Sequence, residues 1–216
     1  MKDFLVRDLG KMDYKEAWEV QLATHRAVTE GQSPPVLLLV EHPPVITFGR
    51  KGGRANLLAS EDFLTSQGFS LYDIERGGDI TYHGPGQLVG YPIFKVGRHV
   101  RDYLRRIEKV FIELLEDYGI KSLGSEGYAG VWVGNEKVVA IGVAIKRDVS
   151  FHGFALNVHT DLSHFNHIIP CGLVGKGVTS LEKLLQRPTS LAEVKPKVIQ
   201  KFSEVFEISL LVDRAA

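Results

Sequence analysis

The period of apolar and polar positions changes several times along the chain, and each change marks an element. Phe4 to Leu9 alternates weakly, as a first strand would. From Asp13 the period becomes three and four: Tyr14, Ala17, Trp18, Gln21, Leu22, His25 and Val28 form one helix face, closed by Gly31. Asp13 is the N-cap, Glu16 completes the capping box, and His25 reads as a core-edge histidine. Pro34-Pro35 ends this segment, and the continuous run Val36 to Val40 predicts a buried strand. Val45 to Gly49 resumes after Glu41-His42-Pro43-Pro44, where His42 either lines a cleft or caps the strand end. Ser60 caps a short helix ending near Gly68. Phe69, Leu71 and Asp73 then share one strand face, opposite Tyr72 and Ile74.

Leu88 to Val96 is strand-like, and Pro92 assigns it to a sheet edge or a bulge. His99 to Tyr118 is the clearest helix, with a stripe running from Val100 through Leu104, Ile107, Phe111 and Leu114 to Tyr118. Arg101, Arg105, Arg106, Glu108, Glu113 and Glu116 oppose it as a solvated face. Tyr128 to Val133, a Gly134-Asn135 turn and Lys137 to Ile145 predict a hairpin, which Phe151 to Val158 extends into an antiparallel meander. Asp161 to Ile169 reads as irregular. Capping boxes at Thr179-Ser180-Leu181-Glu182 and Ser190-Leu191-Ala192-Glu193 open two helices, and Pro196 either kinks the second or starts a new one. Ile208, Leu210 and Val212 suggest a last short strand. The order β/α/β, then meander, then helices predicts an α+β fold rather than a doubly wound sheet.

Composition narrows the class. A chain of 216 residues fits one domain over 1–216. Folding at that length buries roughly 70% of the unfolded surface. The 26 basic and 26 acidic residues cancel, which argues against nucleic acid or an anionic membrane as partner. One cysteine forms no internal disulfide, no signal peptide is visible and no run is long enough to span a bilayer, so the expected location is the cytoplasm.

Three features do not look like core. Between Arg76 and Gly86 four glycines and a proline let the backbone turn, while Arg76, Thr81, His83 and the following Gln87 offer polar groups: a ligand wrapper, or a turn-rich β connection facing water. Cys171 lies in Pro170-Cys171-Gly172, a bend that presents a thiol, although a lone cysteine is commonly inert filling. Lys137 opens an apolar strand and is either an outward edge charge or an inward, desolvated amine able to take a proton near neutral pH. Arg50 to Arg54 is a basic, glycine-rich loop, either exposed or an anion-contacting lip, without a dinucleotide fingerprint. His152, His159, His164, His167 and Cys171 lack the paired spacing of a zinc site, so no metal is expected. Gly172 to Ser180 fails the spacing of a phosphate loop.

Arg76-Gly77-Gly78-x2-Thr81-Tyr82-His83-Gly84-Pro85-Gly86-Gln87-x-Val89-x-Tyr91-Pro92 closely resembles the signature of octanoyl-[acyl-carrier-protein]:protein octanoyltransferases, of the lipoyl/biotin protein ligase superfamily. The likeness continues through Trp132-Val133-Gly134, Lys137-x2-Ala140-Ile141-Gly142, Phe151-His152-Gly153-x-Ala155-Leu156-Asn157-Val158, Asp161-Leu162 and Ile169-Pro170-Cys171-Gly172, covering about residues 36 to 185. It implies one α+β domain with a mixed, largely antiparallel sheet and flanking helices, like the biotin protein ligase catalytic core. It implies Cys171 and Lys137 as the catalytic pair. The implied substrate-binding residues are Arg76, Gly77, Gly78, Thr81, Tyr82, His83, Gly84, Gln87, Ile141, Gly142, His152, Gly153, Ala155 and Thr179. It implies no cofactor, octanoyl-acyl carrier protein as donor, and as acceptors the lipoyl domains of 2-oxoacid dehydrogenase complexes and the glycine cleavage H protein. The default assembly is a monomer. The alternatives are a cysteine-dependent acyl hydrolase (thioesterase) and a non-enzymatic module that binds lipoyl domains or carrier proteins.

Overall fold

The computed structural model describes residues 3–97, 99–125, 127, 129–170 and 175–211. Cys171 and Gly172, Tyr128 at the start of the expected hairpin, Glu126, and Val212 of the expected last strand lie outside the described residues.

The chain opens with β1 (Asp3–Lys11), α1 (Tyr14–Thr29) and β2 (Val36–Glu41). The Asp13 side chain accepts from the Lys15 N–H at 2.8 Å, capping α1 as its sequence predicts. β3 (Val45–Phe48), α2 (Glu61–Ser66), β4 (Ser70–Asp73) and β5 (Ile80–His83) follow. Next come β6 (Gln87–Ile93), α3 (Val100–Asp117), β7 (Leu123–Gly124), β8 (Gly130–Val133), β9 (Glu136–Lys146) and β10 (Val149–Asn157). β11 (Gly177–Val178), α4 (Leu181–Leu185), α5 (Leu191–Phe206) and β12 (Ser209–Leu211) complete it.

Among the described residues these strands make a mixed nine-stranded sheet, ordered β12-β1-β2-β6-β10-β9-β8-β7 with β11 beside β9, and a three-stranded sheet ordered β4-β3-β5. The large sheet is covered on both faces, which explains why Val36 to Val40 has no polar positions. Leu37 and Leu39 join Leu88, Phe111, Phe154 and Phe202 in the core under α3 and α5. Val36, Leu38 and Val40 join Val89, Tyr91 and Ala155 in the core under α1. The three-stranded sheet adds a smaller core around Ile46, Phe48 and Tyr82. No helix among the described residues is long and apolar enough to cross a membrane.

Several expectations are corrected. Pro92 is not on an edge: β6 is central, paired with β2 out to Ile93 and with β10 only from Gln87 to Gly90. Pro92 is tolerated because β10 has left the ladder there, and its carbonyl accepts from the Ser150 hydroxyl at 2.7 Å and the Tyr103 hydroxyl at 3.1 Å. Ser180, not Thr179, caps α4, accepting from the Lys183 N–H. Pro196 does not start a new helix, since α5 runs through it from Leu191 to Phe206. Val100 is exposed rather than on the packed stripe. The segment after Asp161 holds a 3-10 helix, Leu162–His167. The Arg50 to Arg54 loop is largely exposed, in line with one of its two readings, and its start is tied to the glycine-rich stretch: the N–H groups of Gly49, Arg50 and Lys51 donate to the carbonyls of Asp79, Arg76 and Gly78.

Candidate active site

The glycine-rich stretch does two things. Its second half forms β5, paired along its length with β3, so that Thr81 and His83 face one way and Tyr82 the other. Its first half crosses over β9, where the Gly77 N–H donates to the Val143 carbonyl at 2.9 Å. A Cβ on Gly142 would stand 2.8 Å from the Gly77 carbonyl oxygen and 3.2 Å from Arg76 Cδ, so glycine is needed where the two chains touch. The buried Arg76 guanidinium fixes the crossing. Nη2 donates to the Thr47 carbonyl at 2.8 Å and Oγ1 at 3.0 Å, Nε to the same hydroxyl at 3.2 Å, and Nη1 to the Gly77 carbonyl at 3.0 Å.

A cavity lies between this crossing segment and the large sheet. Of the residues singled out by their sequence, Arg76, Gly77, Gly78, Thr81, His83, Lys137, Ile141, Gly142, His152, Gly153 and Ala155 line it. Tyr14, Asp79, Ile80, Val89, Tyr91, Ala140 and Phe154 complete the wall and were not among the expected site residues. Tyr14 is hidden in the apolar stripe of α1, with no signal to separate it from core. Four expected residues lie off this wall. The Tyr82 hydroxyl is hydrogen-bonded to His164 Nδ1 at 2.7 Å on the far face of β5, and Gly84 sits against that ring. Gln87 lies behind His83, with the two joined at 2.7 Å from Nδ1 to Oε1. Thr179 is fully buried beside Lys137, donating its N–H to the Lys137 carbonyl at 3.0 Å.

Lys137 is inward, and a bulge makes it so. In a regular strand it would share a face with Val139 and Ile141, both in the core under α3. The register of β8 against β9 shifts between Val131 and Trp132, so that Val131 faces Val139 while Trp132 faces Lys137. Val138 and Val139 both enter that core, which turns Lys137 to the side of Ala140 and Gly142. The side chain is 5% exposed, its stem passes Gly130, and Nζ stands 4.7 Å from the Trp132 ring centroid. Gly130 has φ +151°, and a Cβ there would lie 2.6 Å from the Val139 carbonyl oxygen and 3.3 Å from Lys137 Cε. A second cavity, lined by Lys51, Val100, Leu104 and Ala129, also reaches Lys137, so this residue borders both spaces.

His152 closes one side with a left-handed backbone, φ +55°, at the point where β10 leaves β6. Its N–H donates to Gln21 Oε1 at 2.9 Å. Glu75 Oε2 stands 3.7 Å from Nε2, close enough to act as a charge neighbour but too far for a hydrogen bond. Burial holds this ring below the usual histidine pKa, opposed by Glu75. His42 is off the Lys137 cavity but lines a separate cleft with Met12, Glu41 and Pro85, and its ring is held from both sides: Nδ1–H donates to the Met12 carbonyl at 2.8 Å, so Nε2 accepts from the Tyr91 hydroxyl at 2.7 Å. His164 and His167 pack on Phe69, and among the described residues no group of three metal-ligating side chains converges.

Burial lowers the pKa of His42 from 6.5 to about 4 and that of His83 from 6.5 to about 3. Between pH 6.5 and 4 the unfolded rings bind protons that the folded rings refuse, so stability falls as pH falls through that window. Each ring adds up to about 1.4 kcal/mol per pH unit of slope. Chemical denaturation from pH 7 to pH 4 should show this slope, and the His42→Gln variant should lose part of it. A flat profile over that range would contradict the neutral rings.

Residues 13–203 match the family described as the lipoyl protein ligase A/B catalytic domain. An octanoyltransferase of Caldicellulosiruptor bescii is 47% identical over 207 residues, covering 94% of this chain and 91% of that one. A bipartite lipoate protein ligase of Thermoplasma acidophilum superposes with a TM-score of 0.76 at 17% identity, covering 99% of this chain and 88% of that one. A biotin protein ligase of Aquifex aeolicus gives a TM-score of 0.52 at 13% identity, over 96% and 69% of the two chains.

Proposed function

The chain belongs to the lipoyl protein ligase A/B catalytic-domain family, it is an acyltransferase like the octanoyltransferases it resembles, and on that premise we propose that it moves an octanoyl group from octanoyl-acyl carrier protein to a lysine of a lipoyl domain by way of a thioester on Cys171. The observation that carries this reading is a buried lysine set into the wall of an otherwise largely apolar cavity. In the first half-reaction Cys171 passes its thiol proton to Lys137 and the thiolate attacks the donor thioester carbonyl; the bond from that carbon to the donor sulfur breaks, and the phosphopantetheine thiolate leaves and takes the proton from Lys137. In the second, the acceptor ε-amine attacks the Cys171 thioester. A carbon–nitrogen bond forms, the bond to Cys171 breaks, and Lys137 relays the amine proton to the departing thiolate. The exchange of one thioester for another is near balance, whereas the amide is far more stable, so no nucleotide is needed.

The two cavities meeting at Lys137 support this assignment, one for the acyl chain over Ala140, Gly142 and Ala155, the other for the donor's arm or the acceptor's lysine in turn. Each buried methylene of the chain contributes about 0.8 kcal/mol. The chain acts here as one catalytic domain, a monomer working in the cytoplasm, with lipoyl domains of 2-oxoacid dehydrogenase complexes and the glycine cleavage H protein as acceptors. Incubation with octanoyl-acyl carrier protein and a lipoyl domain, read by the mass of the acceptor, tests it. Octanoylation of one acceptor lysine is the expected result. Free octanoate without acceptor modification would mean a hydrolase, and binding without turnover would mean a docking module.

A further inference from the structure

The polar side chains behind the cavity leave only one assignment of their hydrogens. Asn157 Nδ2 is 3.0 Å from the Thr179 carbonyl, which only accepts, so this atom is the amide nitrogen and Oδ1 faces Gln87. Gln87 Nε2 lies 2.9 Å from that Oδ1 and 3.2 Å from the Tyr82 carbonyl, two acceptors, so it must be the donor. Gln87 Oε1 is thereby turned toward His83 Nδ1 at 2.7 Å and can only accept from it. Nδ1 of the His83 ring therefore carries a proton, and in the neutral ring Nε2 is left as a bare acceptor on a residue that lines the cavity.

We propose that Gln87 and Asn157 are positioning residues that hold His83 as its neutral Nδ1–H tautomer, so that Nε2 offers the cavity a hydrogen-bond acceptor for an N–H or O–H group of a substrate. The same pair reaches the other side of the site. Asn157 holds the Thr179 carbonyl, and Thr179 in turn donates its N–H to the Lys137 carbonyl, so one hydrogen-bonded path joins the His83 ring to the lysine's own backbone. Tyr14 stacks on the His83 ring at 6.1 Å with an interplanar angle of 7°, which keeps the ring plane fixed. Its burial keeps it uncharged at neutral pH. For the acyl transfer proposed above, on which this role in turnover rests, the group that fits is the attacking amine of the acceptor lysine, oriented by a neutral acceptor that does not trap its proton.

The test is read from the resting protein. Nitrogen NMR of histidine-labelled protein, with His83 assigned by comparison with His83→Asn, should show a protonated Nδ1 and a bare Nε2 at neutral pH. Gln87→Leu removes the acceptor and should convert the ring to a mixture of tautomers, with kcat down about tenfold for one lost orienting hydrogen bond and donor KM little changed. A proton on Nε2 in the unaltered protein overturns the proposal, as does a Gln87→Leu protein that keeps the Nδ1–H form and full kcat. Should that variant not fold, the tautomer of the unaltered protein still decides. Because the tautomer is read without turnover, its failure is distinguishable from a failure of the octanoyl-transfer reading, which would show as absent transfer with the tautomer intact.

Discussion

Replacing Lys137 with methionine should reduce transfer by about 10²–10⁴-fold, the range that a positioned proton-transfer group contributes, while the folded state survives. The side chain is 5% exposed and its stem is packed past Gly130, so a methionine of similar length keeps the apolar contacts. What is removed is the ammonium 4.7 Å from the Trp132 ring. Steady-state kinetics with octanoyl-acyl carrier protein and a lipoyl domain, beside circular dichroism and thermal unfolding, check this. The loss should fall on kcat, since the amine is needed in the transition state rather than for holding the chain. Activity within about threefold of the unaltered enzyme would remove Lys137 from the proton path.

The second large effect is on the roof of the cavity. Arg76→Ala should cost about 2–4 kcal/mol of stability, because the hydrogen bonds of a buried charged group are lost and the Thr47 carbonyl and hydroxyl lose their donors. It should also raise the KM for the donor, since the crossing segment that Arg76 pins to Thr47 and Gly77 forms one wall of the acyl space. Lysine should not rescue it, as one ammonium cannot span the positions held by the planar guanidinium. Urea unfolding of Arg76→Ala and Arg76→Lys beside the unaltered chain measures this. Equal stability of Arg76→Lys and the unaltered chain would contradict the fork geometry.

Local patterns explain what was legible in the sequence. α1, α3 and α5 follow from period and caps, and the Ser190 hydroxyl accepts from the Glu193 N–H as its box predicts. The β8, β9, β10 meander follows from its turns. Features that depend on remote partners were not legible. The side on which Lys137 lies depends on a register shift against β8, and no count along β9 alone contains it. Pro92 is admitted to a central strand because β10 turns away near His152, about sixty residues further along. The roles of Arg76 and Gln87 are set by Thr47, 29 residues before the one, and Asn157, 70 residues after the other. The glycines of the signature were visible as a place where chain could approach chain. That the approach is specifically of Gly77 to Gly142 and Val143 is a property of the assembled sheet.

The central claim is a covalent intermediate on Cys171, and the most direct measurement is the intact mass of the enzyme after brief incubation with octanoyl-acyl carrier protein and no acceptor. The account predicts one added octanoyl group, mapped by peptide analysis to Cys171, absent in Cys171→Ala and discharged when a lipoyl domain is added. Normal octanoylation of the lipoyl domain by Cys171→Ala, with no adduct on the unaltered enzyme, would mean direct attack of the acceptor lysine on the donor and would contradict it.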